Sequence, residues 1–372
     1  MSIAHVEISR ENLLHNLKQL RSLQPKAKVG AVIKGNAYGH GQNQVAQVLE
    51  SEVDLFLLDD LDELRYLRQV SNKPVMLLGY VPSEDLEEAV MLEATLAFYD
   101  PQRLPTLQQA SKTLNRPAKV HLKIDAMLGR QGVVPRDLPA VIQELQRHPK
   151  VQVEGVYAHF GNIEDTTDLS HAQAQVEMFE EAVDILCQAG YRDLSRHMSS
   201  TSGMMVHERQ AKKNDIVRLG IGLYGLYPSE ALGRSFQDLE LRPVMRWVTK
   251  LAQIKMLPVG HPVGYGLTYF TSRETRIGIV PQGYADGFDR GLSSAGDVLV
   301  RGKRCPVIGR VAMNMFAIDL NGVPDAEPED EVLLLGDQAG QRITAEEVAR
   351  RIGTINYEIV TRVSPLLPRV VV

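Results

Sequence analysis

The chain has 372 residues, of which 44% are hydrophobic and 23% charged, a composition that is ordinary for a globular protein of two domains. Its net charge of -5 argues against a general nucleic-acid or membrane-surface binder. Residues 1–10 lack a signal-peptide pattern, no apolar run is long enough to span a bilayer, and the two cysteines form no disulfide framework. We therefore expect a cytoplasmic protein without a membrane or nucleic-acid partner.

Short apolar runs alternate with amphipathic segments over the first part of the chain. The run at residues 4–8 predicts a strand, and leucines at helical spacing predict a helix over residues 10–23. Eight further strands are predicted at residues 27–33, 54–58, 74–78, 95–99, 118–124, 151–157, 194–199 and 216–221. Helices are predicted among them at residues 42–51, 61–69, 83–92, 102–114, 135–147 and 170–189.

This alternation of strands and helices predicts parallel strands joined by right-handed crossovers. Eight repeats favour an α/β fold of the (βα)8 TIM-type barrel. An open doubly wound sheet stays a possible alternative, because periodicity does not show whether a sheet closes.

The pattern changes after about residue 229, where short β-rich runs are separated by Gly, Pro and Asp. Strands are predicted at residues 241–257, 276–280, 297–300, 304–311, 316–319 and 331–335, and a helix with a capping box at residues 344–353. We therefore predict a barrel domain over residues 1–230 and a mostly β domain over residues 231–372. The N-terminal strand could join the β domain.

A lysine followed by small residues ends the first predicted barrel strand. Residues 34–41 read KGNAYGHG, so Lys34 stands at the mouth of a buried strand. A partly desolvated lysine amine can form a Schiff base with a carbonyl group, and the glycines allow a ligand to approach the backbone. The alternative is an exposed lysine beside a glycine-rich turn. The segment is not a Walker loop, because the lysine precedes the glycines.

Polar side chains also follow the later predicted strands, where barrel enzymes place their reactive groups. They are Lys123, Asp125 and Arg130 after the fifth strand, His159 after the sixth, His197, Ser199, Ser200 and Thr201 after the seventh, and Arg218 in the eighth. Arginine and amide N–H groups suit an anionic ligand, and a lysine suits a carbonyl group. Each residue taken alone is more often part of an ion pair or loop cap. Because all of them are expected at the same rim of the barrel, a ligand-binding site is favoured.

Two other kinds of site are disfavoured by the same residues. His159 and His197 lack a close third ligand at the spacing of a metal site, so we predict no metal. A serine hydrolase is also disfavoured, because the chain has no Gly-x-Ser-x-Gly elbow.

Several motifs, in order and spacing, resemble those of the alanine racemase family, whose members depend on pyridoxal 5′-phosphate (PLP). They are residues 31–41 (AVIKGNAYGHG), 123–130 (KIDAMLGR), 158–160 (AHF), 217–221 (VRLGI), 263–266 (VGYG), 283–287 (GYADG) and 309–314 (GRVAMN). The resemblance covers nearly the whole chain. It implies a PLP-binding barrel followed by a β domain, in a head-to-tail homodimer with shared active sites, making D-alanine for peptidoglycan.

The resemblance also implies a role for each matching residue. Lys34 would bind PLP covalently and act as one acid/base, and Tyr265 of the partner subunit would act on the opposite face of the substrate. Arg218 would face the pyridine nitrogen, which stays unprotonated because a guanidinium does not readily give up its proton. The remaining roles are cofactor contact by Tyr38, His159, Thr201, Gly220 and Ile221, and binding of the substrate carboxylate by Arg130 and the Met313 backbone. The lysine that matches Lys123 is carbamylated in some relatives.

This chain departs from the family pattern at the substrate loop and near the C-terminus. The family's Asp-Thr-Gly-Met-Gly-Arg is Asp-Ala-Met-Leu-Gly-Arg at residues 125–130, and its Cys-Met-Asp is Ala-Met-Asn at residues 312–314. Pro365 falls where the family has a phosphate-binding tyrosine. These changes keep three alternatives open: a racemase of broader specificity or one for serine or lysine, a PLP-binding protein without turnover, and a decarboxylase. The β domain argues against a PLP-binding protein without turnover, and Arg218 argues against a decarboxylase.

Overall fold

A computed structural model describes residues 3–165, 167–206 and 215–372, which fall into two compact units. We call them the barrel unit, Leu14–Gly35 and Val45–Leu241, and the β unit, Met1–Leu13, Asn36–Gln44 and Arg242–Val372. The domain boundary that we placed between residues 230 and 231 stays a prediction.

The barrel unit contains one parallel sheet of eight strands. They are β2 (Lys28–Val32), β3 (Leu55–Leu58), β4 (Val75–Leu77), β5 (Ala94–Phe98), β6 (Ala118–Lys123), β7 (Val151–Tyr157), β8 (Ser195–His197) and β9 (Ile216–Leu219), in the order β8-β7-β6-β5-β4-β3-β2-β9. Backbone hydrogen bonds from Arg218 to Ser199 and from Asp215 to Arg196, of 3.0 and 2.9 Å, connect the two ends of this sheet. The predicted (βα)8 barrel is therefore confirmed, and the open sheet was the wrong alternative.

Helices alternate with the strands of the barrel and bury apolar side chains. In the helix Leu138–Arg147, for example, Leu138, Val141, Ile142 and Leu145 are buried at i, i+3, i+4 and i+7 spacing. The helices are α1 (Arg10–Leu23), α2 (Gln42–Leu49), α3 (Leu61–Leu67), α4 (Leu86–Met91), α5 (Leu104–Leu114), α6 (Leu138–Arg147), α7 (Ser170–Gln188), α8 (Thr201–Val206) and α9 (Glu230–Ser235). Single 3₁₀ turns lie at Ser83–Asp85, Pro101–Arg103, Pro135–Asp137 and Ile221–Tyr224. The six-residue helices α8 and α9 were not predicted, since so short a segment shows little periodicity.

The β unit is built on a ten-stranded sheet. Its strands are β1 (His5–Ile8), β10 (Met245–Lys250), β11 (Gln253–Leu257), β12 (Thr275–Val280), β13 (Asp297–Val300), β14 (Lys303–Ile308), β15 (Phe316–Asp319), β16 (Glu331–Gln338), β17 (Gln341–Ile343) and β18 (Arg369–Val371). The strand β1 pairs antiparallel with β10 and parallel with β18. Helices α10 (Ala345–Ile352) and α11 (Asn356–Thr361) and 3₁₀ turns at Tyr265–Leu267 and Arg290–Leu292 complete the unit.

The predicted strand over residues 241–257 was wrong in its length, because the chain turns within it. The N–H of Leu251 donates to Asp330 and that of Ala252 donates to Ile279, so β10 pairs with β16 whereas β11 pairs with β12. An apolar run continues across the change of partner, which is why the sequence pattern does not show it.

The N-cap of the capping box predicted at residue 344 is confirmed, and the carboxylate of Glu347 pairs with Arg304 at 2.7 Å. Thr344 has extended backbone angles, and its hydroxyl accepts a 3.0 Å hydrogen bond from the N–H of Glu347. Gly353 ends this helix with a φ of 75°. Among the residues that the structure describes, no helix is both long and apolar enough to cross a bilayer.

Candidate functional site

The segment that carries Lys34 has an unusual backbone. Lys34–Tyr38 is helical, but the φ angles of Gly35, Asn36, Ala37 and Tyr38 are 60°, 53°, 54° and 52°, so the turn is left-handed. For L-residues such a conformation costs about 1–2 kcal/mol each. A run of three consecutive non-glycine residues in this region therefore needs compensating contacts.

Local hydrogen bonds supply part of that compensation. Asn36 accepts through its side chain from the N–H of Gln42 at 2.9 Å and through its carbonyl from the N–H of Gly41 at 2.9 Å. The buried His40 places Nδ1 3.1 Å from the carbonyl of Ala37 and 3.0 Å from that of Tyr38. Burial lowers the pKa of His40 to about 4, so the ring is neutral and its Nδ1–H can donate to both carbonyls.

The C-terminal segment of the β unit holds the end of this turn. Arg369 donates from Nε and Nη2 to the carbonyl of Gly39, at 3.1 and 2.8 Å, and its other N–H groups donate to the carbonyls of Val363, Ser364 and Leu367. A Cβ on Gly39 would lie 1.9 Å from the carbonyl oxygen of Val360. Glycine is therefore required at residue 39 both by its φ of 82° and by the close approach.

The amine of Lys34 lies at the carboxyl end of β2, beside a carboxylate from the next strand. Its Nζ is 2.8 Å from Oδ1 of Asp59, and both side chains are partly exposed. Glu63 accepts from the N–H groups of Gly35 and Asp59, at 2.6 and 2.7 Å, and so joins the start of the turn to the end of β3. Burial raises the pKa of Glu63. Asp59 and Glu63 are not among the predicted site residues, although Asp59 directly follows the strand predicted at residues 54–58, where barrel enzymes place reactive groups.

The side chain of Arg218 is 4% exposed and is fixed inside the barrel by backbone carbonyls. Nη2 donates to the carbonyls of Ala158 and Met198, both at 2.9 Å, and Nη1 donates to that of His197 at 3.1 Å. Nη2 also lies 3.3 Å from Nδ1 of His159. Burial, followed by the positive charge of Arg218, lowers the pKa of His159 to about 3, so this imidazole is neutral.

Lys123 is buried in the same barrel, with a neutral partner. Its Nζ lies 3.0 Å from Oε1 of Gln131 and 5.5 Å from the ring centre of Tyr157. Burial, followed by the charges of Arg130, Arg218 and Lys34, lowers the pKa of Lys123 to about 8. The predicted residues Lys34, Lys123, Arg130, His159 and Arg218 therefore share one electrostatic environment at the carboxyl ends of the strands.

Thr201, Gly220 and Ile221 also come together. Oγ1 of Thr201, the first residue of α8, accepts from the N–H groups of Gly220 and Gly222 at 3.2 and 3.4 Å. Ile221 begins the 3₁₀ turn that follows β9. A Cβ on Gly222 would lie 2.6 Å from Cγ2 of Thr201, so the close approach requires a residue without a side chain.

The loop at residues 125–130 keeps a tight turn despite its departure from the family pattern. Met127, at a position where the family pattern has glycine, has a φ of 58°. Oδ1 of Asp125 accepts from the N–H groups of Leu128 and Gly129 at 2.9 and 3.0 Å, which holds the turn. Arg130 then follows as an exposed side chain.

Tyr265 and Met313, two of the predicted residues of the β unit, lie in exposed segments. Tyr265 is 74% exposed and stands between Gly264 and Gly266, whose φ angles are 76° and 73°. Met313 is 55% exposed, and its carbonyl accepts from the N–H of Ala285 at 3.0 Å. The ring of Tyr38 lies 6.1 Å from that of Tyr357. The roles given to these residues stay predictions.

The barrel and its strand-end lysine define a class of protein: a (βα)8 barrel with a cationic site at the carboxyl ends of its strands, followed by a mostly antiparallel β unit. Within the described ranges, no group of His, Cys, Asp and Glu is arranged to hold a metal ion.

Known proteins of this class match the chain along its length. The family described as "Alanine racemase, N-terminal domain" matches residues 8–228, and "Alanine racemase, C-terminal domain" matches residues 244–371. The alanine racemase of Carboxydothermus hydrogenoformans is 37% identical over 368 residues, 98% of each chain. "Alanine racemase 2" of Caldanaerobacter subterraneus is 36% identical over 369 residues, 98% of this chain and 94% of that one.

Solved structures agree with these sequence matches. Alanine racemase from Clostridium difficile superposes with a TM-score of 0.92 at 33% identity, covering 100% of this chain and 96% of that one. The enzyme from Bacillus anthracis, solved with bound L-Ala-P, has a TM-score of 0.93 at 32% identity, covering 100% and 95%. The chain belongs to the alanine racemase family. The predicted family and enzyme class, an isomerase, are thereby confirmed.

Proposed function

We propose that this protein interconverts L- and D-alanine with PLP as cofactor, and so supplies D-alanine for peptidoglycan. The observation that carries the proposal is the position of the Lys34 amine, at the carboxyl end of β2 in the same barrel as the rigidly held Arg218. A reactive amine and a fixed guanidinium at one barrel rim suit an anionic cofactor that carries a carbonyl group.

The residues present fit PLP by the chemistry of their donors. Lys34 offers the amine for covalent attachment, and Thr201 and Ile221 offer a hydroxyl and a backbone N–H for the phosphate. The N–H of Gly220, which donates to Thr201, would exchange that hydroxyl oxygen for a phosphate oxygen. Arg218 would donate to the ring nitrogen, and His159 would pack beside the ring. When bound, PLP supplies the conjugated ring that makes the α-proton of an amino acid acidic.

The residues of the chain then move the proton. Lys34 takes or gives the α-proton on one face of the substrate, and Tyr265 does so on the opposite face, because inversion of a stereocentre needs an acid/base on each side. Arg130 and the Met313 backbone hold the substrate carboxylate. Arg218 keeps its own proton throughout, since a guanidinium is not deprotonated in proteins.

We also propose a homodimer in which Tyr265 enters the site of the other subunit. The support is the exposure of large apolar side chains in the β unit: Tyr265, Leu267, Phe270, Met313 and Met315 are each more than half exposed. They fall in two segments, residues 265–270 and 313–315, and apolar surface of this kind suits a protein interface.

A chiral assay of the purified protein with added PLP tests the function. We expect turnover of L- and D-alanine, and a loss of about 10³-fold or more in Lys34→Ala. Lys26→Ala, which removes an exposed lysine of the same unit, is the matched control and should keep full activity. Rapid turnover by Lys34→Ala would contradict the proposal.

The same assay across a panel of amino acids decides substrate range. Met127 and Pro365 stand at positions where the family pattern has glycine and tyrosine, which is the observation that favours a broader racemase. Turnover of serine or lysine with none of alanine would replace the first proposal by this second one.

A further inference from the structure

A buried pair of histidines continues the hydrogen-bond network of Arg218 into the barrel. Nη1 of Arg218 lies 2.7 Å from Nδ1 of His197, and Nε2 of His197 lies 2.7 Å from Nδ1 of His121. The three side chains come from β9, β8 and β6 and are 4%, 0% and 5% exposed. The roles proposed above use Arg218 and leave His121 without one.

The donors and acceptors of Arg218, His197 and His121 determine which ring nitrogen of each histidine carries a proton. A guanidinium has donors and no acceptor, so Nδ1 of His197 must accept from Arg218. Burial lowers the pKa of His197 well below its usual value and that of His121 to about 4, with the charge of Arg218 adding in both, so both rings are neutral. A neutral imidazole that accepts at Nδ1 carries its proton on Nε2, so His197 donates from Nε2 to Nδ1 of His121.

The pairing of β6 with β7 helps to place the ring of His121 beside that of His197. The pairing of β6 with β7 shifts register between Val120 and His121, and His121 lies opposite Gly155. A Cβ on Gly155 would lie 2.6 Å from Cε1 and 2.7 Å from Nδ1 of His121. The ring of Tyr157 stacks on that of His197 with centroids 4.8 Å apart and an interplanar angle of 2°. The orientation of both imidazoles is therefore set by packing as well as by hydrogen bonds.

We propose that His121 is a positioning residue for Arg218: by accepting the Nε2–H of His197, it keeps Nδ1 of His197 turned toward the guanidinium. Without this acceptor, a buried N–H would lose its partner, which is costly enough to favour rotation of the ring. Arg218 would then lose a fixed acceptor. The inference rests on the proposed function in that Arg218 faces the ring of the cofactor.

Two substitutions of His121 and one of its neighbour test this role. His121→Leu removes the acceptor, whereas His121→Asn keeps an oxygen near the position of Nδ1. Gly155→Ala leaves the imidazole intact but displaces it. His148→Leu, at a partly exposed histidine at the end of α6, is the matched control. Circular dichroism shows which variants fold. If His121→Leu does not fold, His121→Asn and Gly155→Ala still test whether His121 positions Arg218.

Nitrogen NMR of ¹⁵N-histidine protein without cofactor is the first measurement. We expect His197 to be protonated at Nε2 and unprotonated at Nδ1 in the original protein, in His121→Asn and in His148→Leu. In His121→Leu and Gly155→Ala the Nε2–H signal should move and exchange faster with water. A proton on Nδ1 of His197 in the original protein would overturn the proposal.

The second measurement is alanine racemisation by the PLP-loaded protein. We expect kcat to fall about tenfold in His121→Leu and Gly155→Ala, with KM changing much less, and to recover in His121→Asn. Unchanged NMR signals and unchanged kcat in both damaging variants would overturn the inference. Absence of racemisation by the original protein would instead reject the proposed function, and the NMR result would still decide the role of His121.

Discussion

At the scale of single residues, two lysines of one barrel have different partners. The amine of Lys34 lies beside the carboxylate of Asp59, whereas that of Lys123 lies beside the neutral amide of Gln131. A carboxylate stabilises the charged ammonium, and a neutral amide does so less. Because Lys123 is also buried near other cations, its pKa falls to about 8.

The lowered pKa of Lys123 predicts a dependence of stability on pH. Burying the charged ammonium lowers the free energy of unfolding. This loss is absent above the unfolded pKa of about 10.4, grows as the pH falls, and is complete below the folded pKa of about 8. We therefore expect the melting temperature of Lys123→Met, relative to the original protein, to be higher at pH 7 than at pH 10. Calorimetry of the protein without cofactor at both pH values checks this. Lys26→Met should show no such difference, and an equal difference at both pH values in Lys123→Met would contradict the prediction.

The hydroxyl of Tyr265 carries the second prediction at this scale. We expect Tyr265→Phe to slow racemisation by about 10²–10⁴-fold in both directions, because one face of the substrate loses its acid/base. Binding of PLP, followed by its absorbance, should persist. Tyr66→Phe, at an exposed tyrosine of the barrel unit, is the control. Rates that match the original protein in both directions would rule out Tyr265 as a base.

At the scale of elements, the left-handed turn Lys34–Tyr38 depends on contacts made by its flanking residues. Asn36, His40 and Gly39 each connect the turn to neighbouring backbone, and Arg369 fixes the Gly39 carbonyl. The backbone energy of the turn is unfavourable by itself. The turn is therefore stable because the chain around it satisfies its polar groups.

Two glycines of this segment give a matched pair of variants. Both have positive φ, but a Cβ on Gly35 would meet no atom within 4 Å, whereas a Cβ on Gly39 would lie 1.9 Å from the carbonyl oxygen of Val360. We expect Gly35→Ala to cost about 1 kcal/mol and Gly39→Ala considerably more. Thermal unfolding and PLP binding measure the difference. Equal losses in the two variants would show that the close approach has little energetic importance.

At the scale of the whole molecule, the exposed apolar side chains of the β unit support the proposed homodimer. If Tyr265 enters the site of the other subunit, each active site contains Lys34 of one chain and Tyr265 of the other. Two inactive variants can then restore each other, because their mixed dimer contains one intact site.

Mixing Lys34→Ala with Tyr265→Phe tests this arrangement. After subunit exchange, half of the dimers are mixed and each has one intact site, so we expect about a quarter of the original activity. Sedimentation of the mixture confirms that dimers form. If dimers form and exchange but no activity returns, then Lys34 and Tyr265 of the same chain act together. Mixing Lys34→Ala with itself is the control.

Much of this fold follows from the sequence, because local patterns report local structure. The strands of the barrel were predicted to within about two residues, since each is a short apolar run bounded by polar residues. The position of Lys34 at a strand end follows from the same pattern, and the motifs at residues 31–41 and 217–221 indicate the family.

Other features were decided by tertiary structure. Closure of the sheet between β8 and β9, the left-handed turn after Lys34, and the pairing of His121 with His197 each join residues far apart in the chain or oppose the local backbone preference. Neither the hydrophobic periodicity nor the composition of the sequence indicates such contacts. The sequence alone determined which groups stand at the ends of the strands, and only the folded chain decided which partner each one has, because a pKa and a proton position depend on neighbours in space.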